Sequence, residues 1–407
     1  MPKICVIGGG AAGLTAALFA ARAGAEVVVL EKMEKCGKKL RITGKGRCNV
    51  TNTASVEEMQ DKVPRGARFL RAALYAFPPA ETVRFFEELG VPLKTERGGR
   101  IFPQSDNAND VADALEQAAR NAGAAIRFGR VTALRKTKTG FDVTAGKETF
   151  SFDRVILATG GASYPGTGST GDGYRFASHM GHTVVEPKPA LVPLIAEGDF
   201  CPACQGLSLK NAAITVKKDG KTVYTDFGEL LFTHFGLSGP VILSASSYLD
   251  FDGGKPYELF IDLKPALDRE TLDRRVLRDF DEAKNKDLIN VLPALLPHKI
   301  ILPLLEKAGL DGRKKVNEVT RAERNRLIDT VKTLSLTLTG TRPLEEAIVT
   351  RGGVSLKEID PRAMESRLMN GLYFAGEVID ADARTGGFNL QIAFATGALA
   401  GEAASRT

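Results

Sequence analysis

Gly8, Gly10 and Gly13 stand in the spacing G-x-G-x-x-G, with Ala12 inside the same turn. An apolar run, residues 3–7, precedes them and reads as a buried strand. An Ala-rich segment, residues 14–23, follows with helical composition. Gly24 ends it, and residues 25–30 form a second apolar run closed by Glu31, 23 positions after Gly8. Strand, glycine turn, helix, strand and acid in this order suit a dinucleotide. The first glycine permits the tight turn, the second lets backbone approach a pyrophosphate, and the third lets helix pack on strand. The helix N-terminus offers free N–H groups and the positive end of its dipole to phosphate. Glu31 can accept hydrogen bonds from a ribose diol.

The segment 32–52 holds seven basic residues and one acidic residue among glycines and small polar side chains. It can bring N–H groups and cations close to a diphosphate. Lys32, Lys39, Thr43, Arg47, Cys48 and Asn49 are its candidates. Downstream, residues 153–161 read as a strand running into a glycine turn, where the backbone at Thr159 and Gly160 can approach a cofactor. Gly376 and Glu377 end another strand, and Arg351-Gly352-Gly353-Val354 reads as a turn. Gly386 and Gly387 open an Ala-rich apolar helix from Phe388 onward, a second glycine turn at a helix N-terminus. A further G-x-G-x-x-G, at Gly166, Gly168 and Gly171, has no strand directly before it and reads as a loop.

Other reactive side chains are sparse. Cys201 and Cys204 form a C-x-x-C, two thiols where structural zinc wants four ligands, and no metal site is expected. They read as plain thiols, with redox or metal roles as the alternative. Cys48 either packs within the basic segment, or touches a bound cofactor or donates a proton. His234 stands in Leu231-Phe232-Thr233-His234-Phe235-Gly236 and reads as a structural histidine or a proton donor.

These residues need elements to place them. Residues 81–89 and 110–121 have helical apolar spacing, and 124–128 and 141–144 read as strands. By fold analogy a β-meander occupies this region, with Val131 beside an adenine. From about Pro189 the composition changes. Residues 190–265 are strand-like with turn signals, and residues 266–342 read as helical. The expected organisation is therefore a first part of a nucleotide-binding domain (1–189), an inserted domain (190–342) and the returning second part (343–407).

The run 38–52, above all Gly46-Arg47-Cys48-Asn49-Val50-Thr51-Asn52, resembles the YhiN/BaiN-like family of FAD flavoproteins. The segments 156–165, 231–240 and 371–391 resemble the same family, so the likeness covers nearly the whole chain. The resemblance implies an α/β, glutathione-reductase-like Rossmann FAD domain carrying an inserted β-barrel-like and helical domain. It implies that Glu377, Asp380 and the segment holding Gly387, Asn389, Leu390 and Gln391 line FAD, with NADH or NADPH as transient reductant. Family members include a ribosomal RNA dihydrouridine synthase, a bile-acid reductase and an aminoacetone oxidase. The expected function is FAD-dependent reduction of a C=C bond, with uridine in 23S ribosomal RNA as the favoured substrate. A small enone or amino-ketone is the alternative.

Composition bounds these readings. The chain has 407 residues, 43% hydrophobic and 26% charged, with 42 glycines and five cysteines. That excludes a disordered chain, a collagen-like chain and a disulfide scaffold. Lys and Arg number 55 against 49 Asp and Glu, a formal charge of +6. The basic run Arg313 to Lys332 in the insert (seven basic, three acidic) is expected to hold RNA phosphates. No signal peptide or membrane span is read, and a cytoplasmic location is expected.

Overall fold

A computed structural model describes residues 1–406. The chain forms two compact units, one from Met1–Ala190 with the chain from Leu344 onward, the other Leu191–Pro343.

The first unit is built on a five-stranded parallel sheet ordered Leu372–Phe374, Arg154–Leu157, Lys3–Ile7, Glu26–Glu31, Ala125–Phe128. Its inner strands are apolar on both faces and buried, as a sheet covered on both sides requires. Register decides what the sheet can do. Ile7 pairs with Leu30 and Leu157, and Leu157 pairs with Phe374. The residues that follow, Gly8, Glu31, Ala158 to Gly160 and Ala375–Gly376, therefore emerge along one edge, at the carboxyl ends of the strands. That edge is where open α/β sheets bind ligands.

The first helix, Ala11–Arg22, has alanine throughout and Gly10 as its N-cap. It packs on the last helix, Phe388–Ser405. Gly397 and Gly401 make that packing possible. A methyl on them would stand 2.4 Å from the Ala12 carbonyl oxygen and 2.3 Å from that of Ala16. The three-stranded meander Val131–Lys136, Phe141–Ala145, Glu148–Phe152 occupies the position given by fold analogy.

One expectation fails in this unit. Arg351 to Val354 is not a turn. It lies in the buried strand Val349–Val354, antiparallel to Val184–Ala190, with an irregularity between Val185 and Lys188. The two glycines serve close strand approach, with Gly352 tight against the Glu186 carbonyl.

The second unit is a closed six-stranded barrel with helices Arg269–Glu282, Leu288–Val291, His298–Ala308 and Arg321–Lys332. Residues 334–341 overturn a second expectation. Read as part of a helical segment, they form the strand Leu334–Thr341, which pairs with Tyr257–Asp262 on one side and Leu194–Ala196 on the other and closes the barrel. Leu334, Leu336 and Leu338 alternate into its core. No helix among the described residues is long and apolar enough to cross a membrane.

Candidate functional site

At the carboxyl edge of the parallel sheet the first turn is locked by contact. Gly8 N donates to Leu30 O at 2.9 Å. A methyl on Gly13 would lie 1.9 Å from Gly8 O, whereas one on Gly10 would meet nothing within 4 Å. Strand and helix thus touch at Gly8 and Gly13, while Gly10 faces open space. The helix beginning at Ala11 has no side-chain cap. Its orphan N–H groups and dipole point at that space, a cradle fitted to phosphate. Ala12 is buried in this first turn.

Glu31 is 9% exposed. Its Oε2 accepts from Gly9 N at 2.6 Å and its Oε1 from Met33 N at 2.8 Å. One donor on each oxygen leaves a lone pair on each for a ribose hydroxyl. The carboxylate therefore builds the turn as well as facing a ligand. Lys32 pairs with Asp172 at 2.8 Å. Val131 is buried at the start of the meander.

The segment after Glu31 is a short helix, Lys38–Gly46, broken at Thr43, with Lys45 and Cys48 in left-handed conformation. Non-glycine residues held there store strain, which concentrates at ligand sites. The structure separates the candidates in this segment. Lys39 Nζ bonds Ser163 Oγ at 2.7 Å and the Glu377 oxygens at 3.0 and 2.8 Å. Glu377 also accepts from Thr350 N at 2.8 Å, and Thr350 Oγ1 accepts from Ala162 N and Ser163 N at 2.9 and 3.0 Å. Four segments of the chain converge in this partly buried network. Neither Ser163 nor Thr350 was expected. Ser163 sits in a recognisable motif, whereas Thr350 looks like an ordinary strand residue.

Asn49, its amide oriented by its neighbours, donates to Thr51 O and Ile101 O and accepts from Gly387 N at 2.9 Å. It ties the basic segment to the second glycine turn, at the uncapped start of the last helix. Asn389 bonds back to Ala383 N and O. Leu390 is half-buried. Gln391 is fully buried, bonded to Thr51, Thr82 and Phe77 O. Its side chain ties the last helix to Thr51, to Thr82 and to the end of the helix before Phe77. Arg47 is turned to the surface, ion-paired with Glu96 and Asp106 and stacked 4.3 Å over Phe102. Thr159 and Gly160 follow the sheet strand as expected, with Thr159 against Gly173. Gly376 N donates to Thr396 Oγ1. Asp380 is held partly buried near Arg65 and Arg351, and desolvation raises its carboxyl above the usual range. Asp382, missed in the sequence, is fully buried and bonded by Arg65 at 3.1 Å.

The remaining reactive groups are placed as follows. Cys48 is fully buried and burial pushes its thiol up to about 12. Cys201 and Cys204 are free, buried thiols pushed by burial to about 12 and about 11. Thiols that stay protonated at neutral pH are poor nucleophiles and poor metal ligands. His234 is exposed in the turn after strand Lys221–Thr233, against the Phe235 ring. The second G-x-G-x-x-G is a loop with one 3-10 turn, Pro165–Thr167.

Residues 2–403 match the HI0933-like protein Rossmann domain. The chain belongs to this family. HI0933-like proteins are flavin-dependent oxidoreductases, and so is this one. It is 36% identical, over 100% of its own length and 99% of the relative's, to a 3-dehydro-bile acid delta(4,6)-reductase of Clostridium scindens. It is 30% identical, over 96% and 95%, to a ribosomal RNA dihydrouridine synthase of Escherichia coli. Among solved structures, a 3-ketosteroid-delta4-(5alpha)-dehydrogenase from Rhodococcus jostii shares the fold, with a TM-score of 0.51, 16% identity and coverage of 100% and 97%.

In this HI0933-like chain four of the seven cations in the insert's basic run are held by carboxylates of the same unit. Lys314 pairs with Glu323, Lys315 with Asp287, Arg324 with Asp273 and Lys332 with Asp262, all at 2.6 to 2.8 Å. Arg326 bonds the Ala308 carbonyl. Among the described residues Arg313, Arg321 and Arg326 enter no ion pair. Residues 191–343 carry 22 basic against 21 acidic side chains, so the chain's positive excess lies in the other unit.

Proposed function

We propose that this oxidoreductase binds FAD in the cradle at the sheet edge and, with NADH or NADPH as electron source, reduces a C=C bond conjugated to a carbonyl. The proposed substrate is uridine in 23S ribosomal RNA. The reading is supported chiefly by the chemistry that the two relatives' names share. A 3-oxo group with a delta-4 double bond is an enone, and uracil C5=C6 is conjugated to the C4 carbonyl. Both are reduced by hydride at the carbon distal to the carbonyl and a proton at the proximal carbon.

FAD supplies the hydride when bound and reduced. The chain's own residues do the rest. The uncapped first helix, with Gly8 to Gly13, holds the diphosphate, and Glu31 accepts from a ribose. Lys39, Glu377, Ser163 and Thr350 fix the turn at 160–163 against the strand Val349–Val354. Cys48, fully buried, packs.

Deleting the gene and mapping dihydrouridine in 23S ribosomal RNA tests the substrate. Loss of one modified position is expected. An unchanged map assigns the enzyme to small enones, a reading favoured by the 36% relative and by the balanced charge of the insert.

A further inference from the structure

Residues 125–152 hold six basic and two acidic side chains, four of the chain's six net charges in one supersecondary unit. Arg127, Arg135, Lys136, Lys138 and Lys147 are all exposed, and among the described residues none of them enters an ion pair. Arg130 shares the single carboxylate of Asp172 with Lys32 and Arg175, three cations on one anion. In the basic run 313–332 of the insert, by contrast, four of the seven cations are ion-paired at 2.6 to 2.8 Å.

The meander also has a suitable face. Leu134, Phe141, Val143 and Phe152 are buried on one side. Register puts Arg135, Asp142 and Ser151 together on the other, with Thr144 and Thr149 beside them. Asp142, the one acid on this face, accepts from Ser151 Oγ at 2.7 Å. Lys138 and Lys147 stand at the two turns. Phe128, 52% exposed, lies between Arg127 and Arg130 in sequence, and Arg127 sits 5.2 Å over the ring of Phe150, which register puts with Val143 on the opposite face, so Arg127 stands at the rim. Unpaired cations at a rim, hydroxyls on a face and an open aromatic ring are the elements of a backbone-tracking, base-stacking nucleic-acid surface.

We propose that the strand Ala125–Phe128 and the meander Val131–Phe152 form the surface that docks structured RNA, with Arg127, Arg135, Lys138 and Lys147 on phosphates and Phe128 against a base. This rests on the ribosomal RNA reading above and moves its RNA contact from the insert to the first unit.

The test is fluorescence anisotropy of the FAD-loaded full chain with a labelled fragment of 23S ribosomal RNA, across a salt series. The variants are a triple charge reversal, Arg127→Glu with Arg135→Glu and Lys138→Glu, and the same three positions changed to Gln. Arg313→Glu with Arg321→Glu in the insert is the comparison. The meander variants are expected to bind at least tenfold more weakly. Their log Kd against log salt should flatten by about 2, since each lost phosphate contact removes about 0.7. Phe128→Ala should weaken binding with no change in that slope, and the insert pair should bind as wild type. FAD content and melting temperature should hold in all variants. If wild type binds with a salt-dependent affinity and the meander variants bind equally well, this surface is wrong while the RNA reading stands. If wild type shows no salt-dependent RNA binding, the reading itself fails and takes the surface with it. If the variants lose only binding to vesicles containing phosphatidylserine, the partner is a membrane and the proposal is overturned.

Discussion

Thr350 shows how much a single side chain carries at this site. Its hydroxyl oxygen accepts two backbone N–H groups from 162 and 163 while its own N–H holds Glu377. Thr350→Val keeps the volume and removes the acceptor, leaving two buried donors unsatisfied at about 1–3 kcal/mol. Lower melting temperature and weaker FAD binding by fluorescence quenching are expected, and Thr350→Ser should restore both. His182 gives a pH-dependent counterpart. Ser366 Oγ accepts from Leu368 N and Met369 N, so its proton goes to His182 Nε2 at 2.8 Å. The ring proton then sits on Nδ1, 3.2 Å from Glu358. Desolvation lowers the His182 pKa from its ordinary 6.5 against the pull of Glu358. The unfolded chain therefore binds a proton that the folded chain refuses, and this contribution to stability is complete above 6.5 and declines as pH falls below it. Melting temperatures across that window should show the decline, and His182→Gln should flatten it. Glu358, held low, acts separately, below its ordinary 4.5.

At the scale of elements, the glycine turn and the barrel's closing strand make opposite demands. Gly13→Ala puts a methyl into the Gly8 carbonyl, and overpacking of this kind costs about 1–3 kcal/mol. Because it pushes helix from strand at the cradle, FAD should be lost before the fold is, seen as cofactor release at lower denaturant than the loss of circular dichroism. Leu338 is fully buried in the barrel. Leu338→Ala should cost about 2–5 kcal/mol in chemical denaturation. A result near zero would remove residues 334–341 from the barrel wall. That strand was legible, since Leu334-Ser-Leu-Thr-Leu-Thr alternates with period two, but the Leu-rich helical sequence before it masked the change of period. The first βαβ unit was legible because its turn, helix and acid are local in sequence. Arg351 to Val354 misled for the opposite reason. Two glycines look like a turn until the strand they press against, 165 residues earlier, is present. Thr350, Ser163 and Gln391 each have a partner more than 180 residues away, and local pattern carries no trace of that.

For the whole molecule, net charge is the quantity most changed by the fold. The +6 of the sequence pointed to the insert. In three dimensions the insert is balanced and internally paired, and the excess lies on the unit that carries the cradle. Asp262, Asp273 and Asp287 neutralise a basic run 28 to 70 residues further on, a pairing that only tertiary structure creates. The parallel register gathers Gly8, Glu31, Thr159 and Gly376 at one edge, and that convergence makes the FAD reading more than a motif match. The central claim is that this edge holds FAD. The absorbance spectrum of the purified chain, with chromatography of the cofactor released on denaturation, tests it most directly. A flavin spectrum and stoichiometric FAD are predicted. A protein that stays colourless after incubation with FAD, or that releases only FMN, would contradict the account.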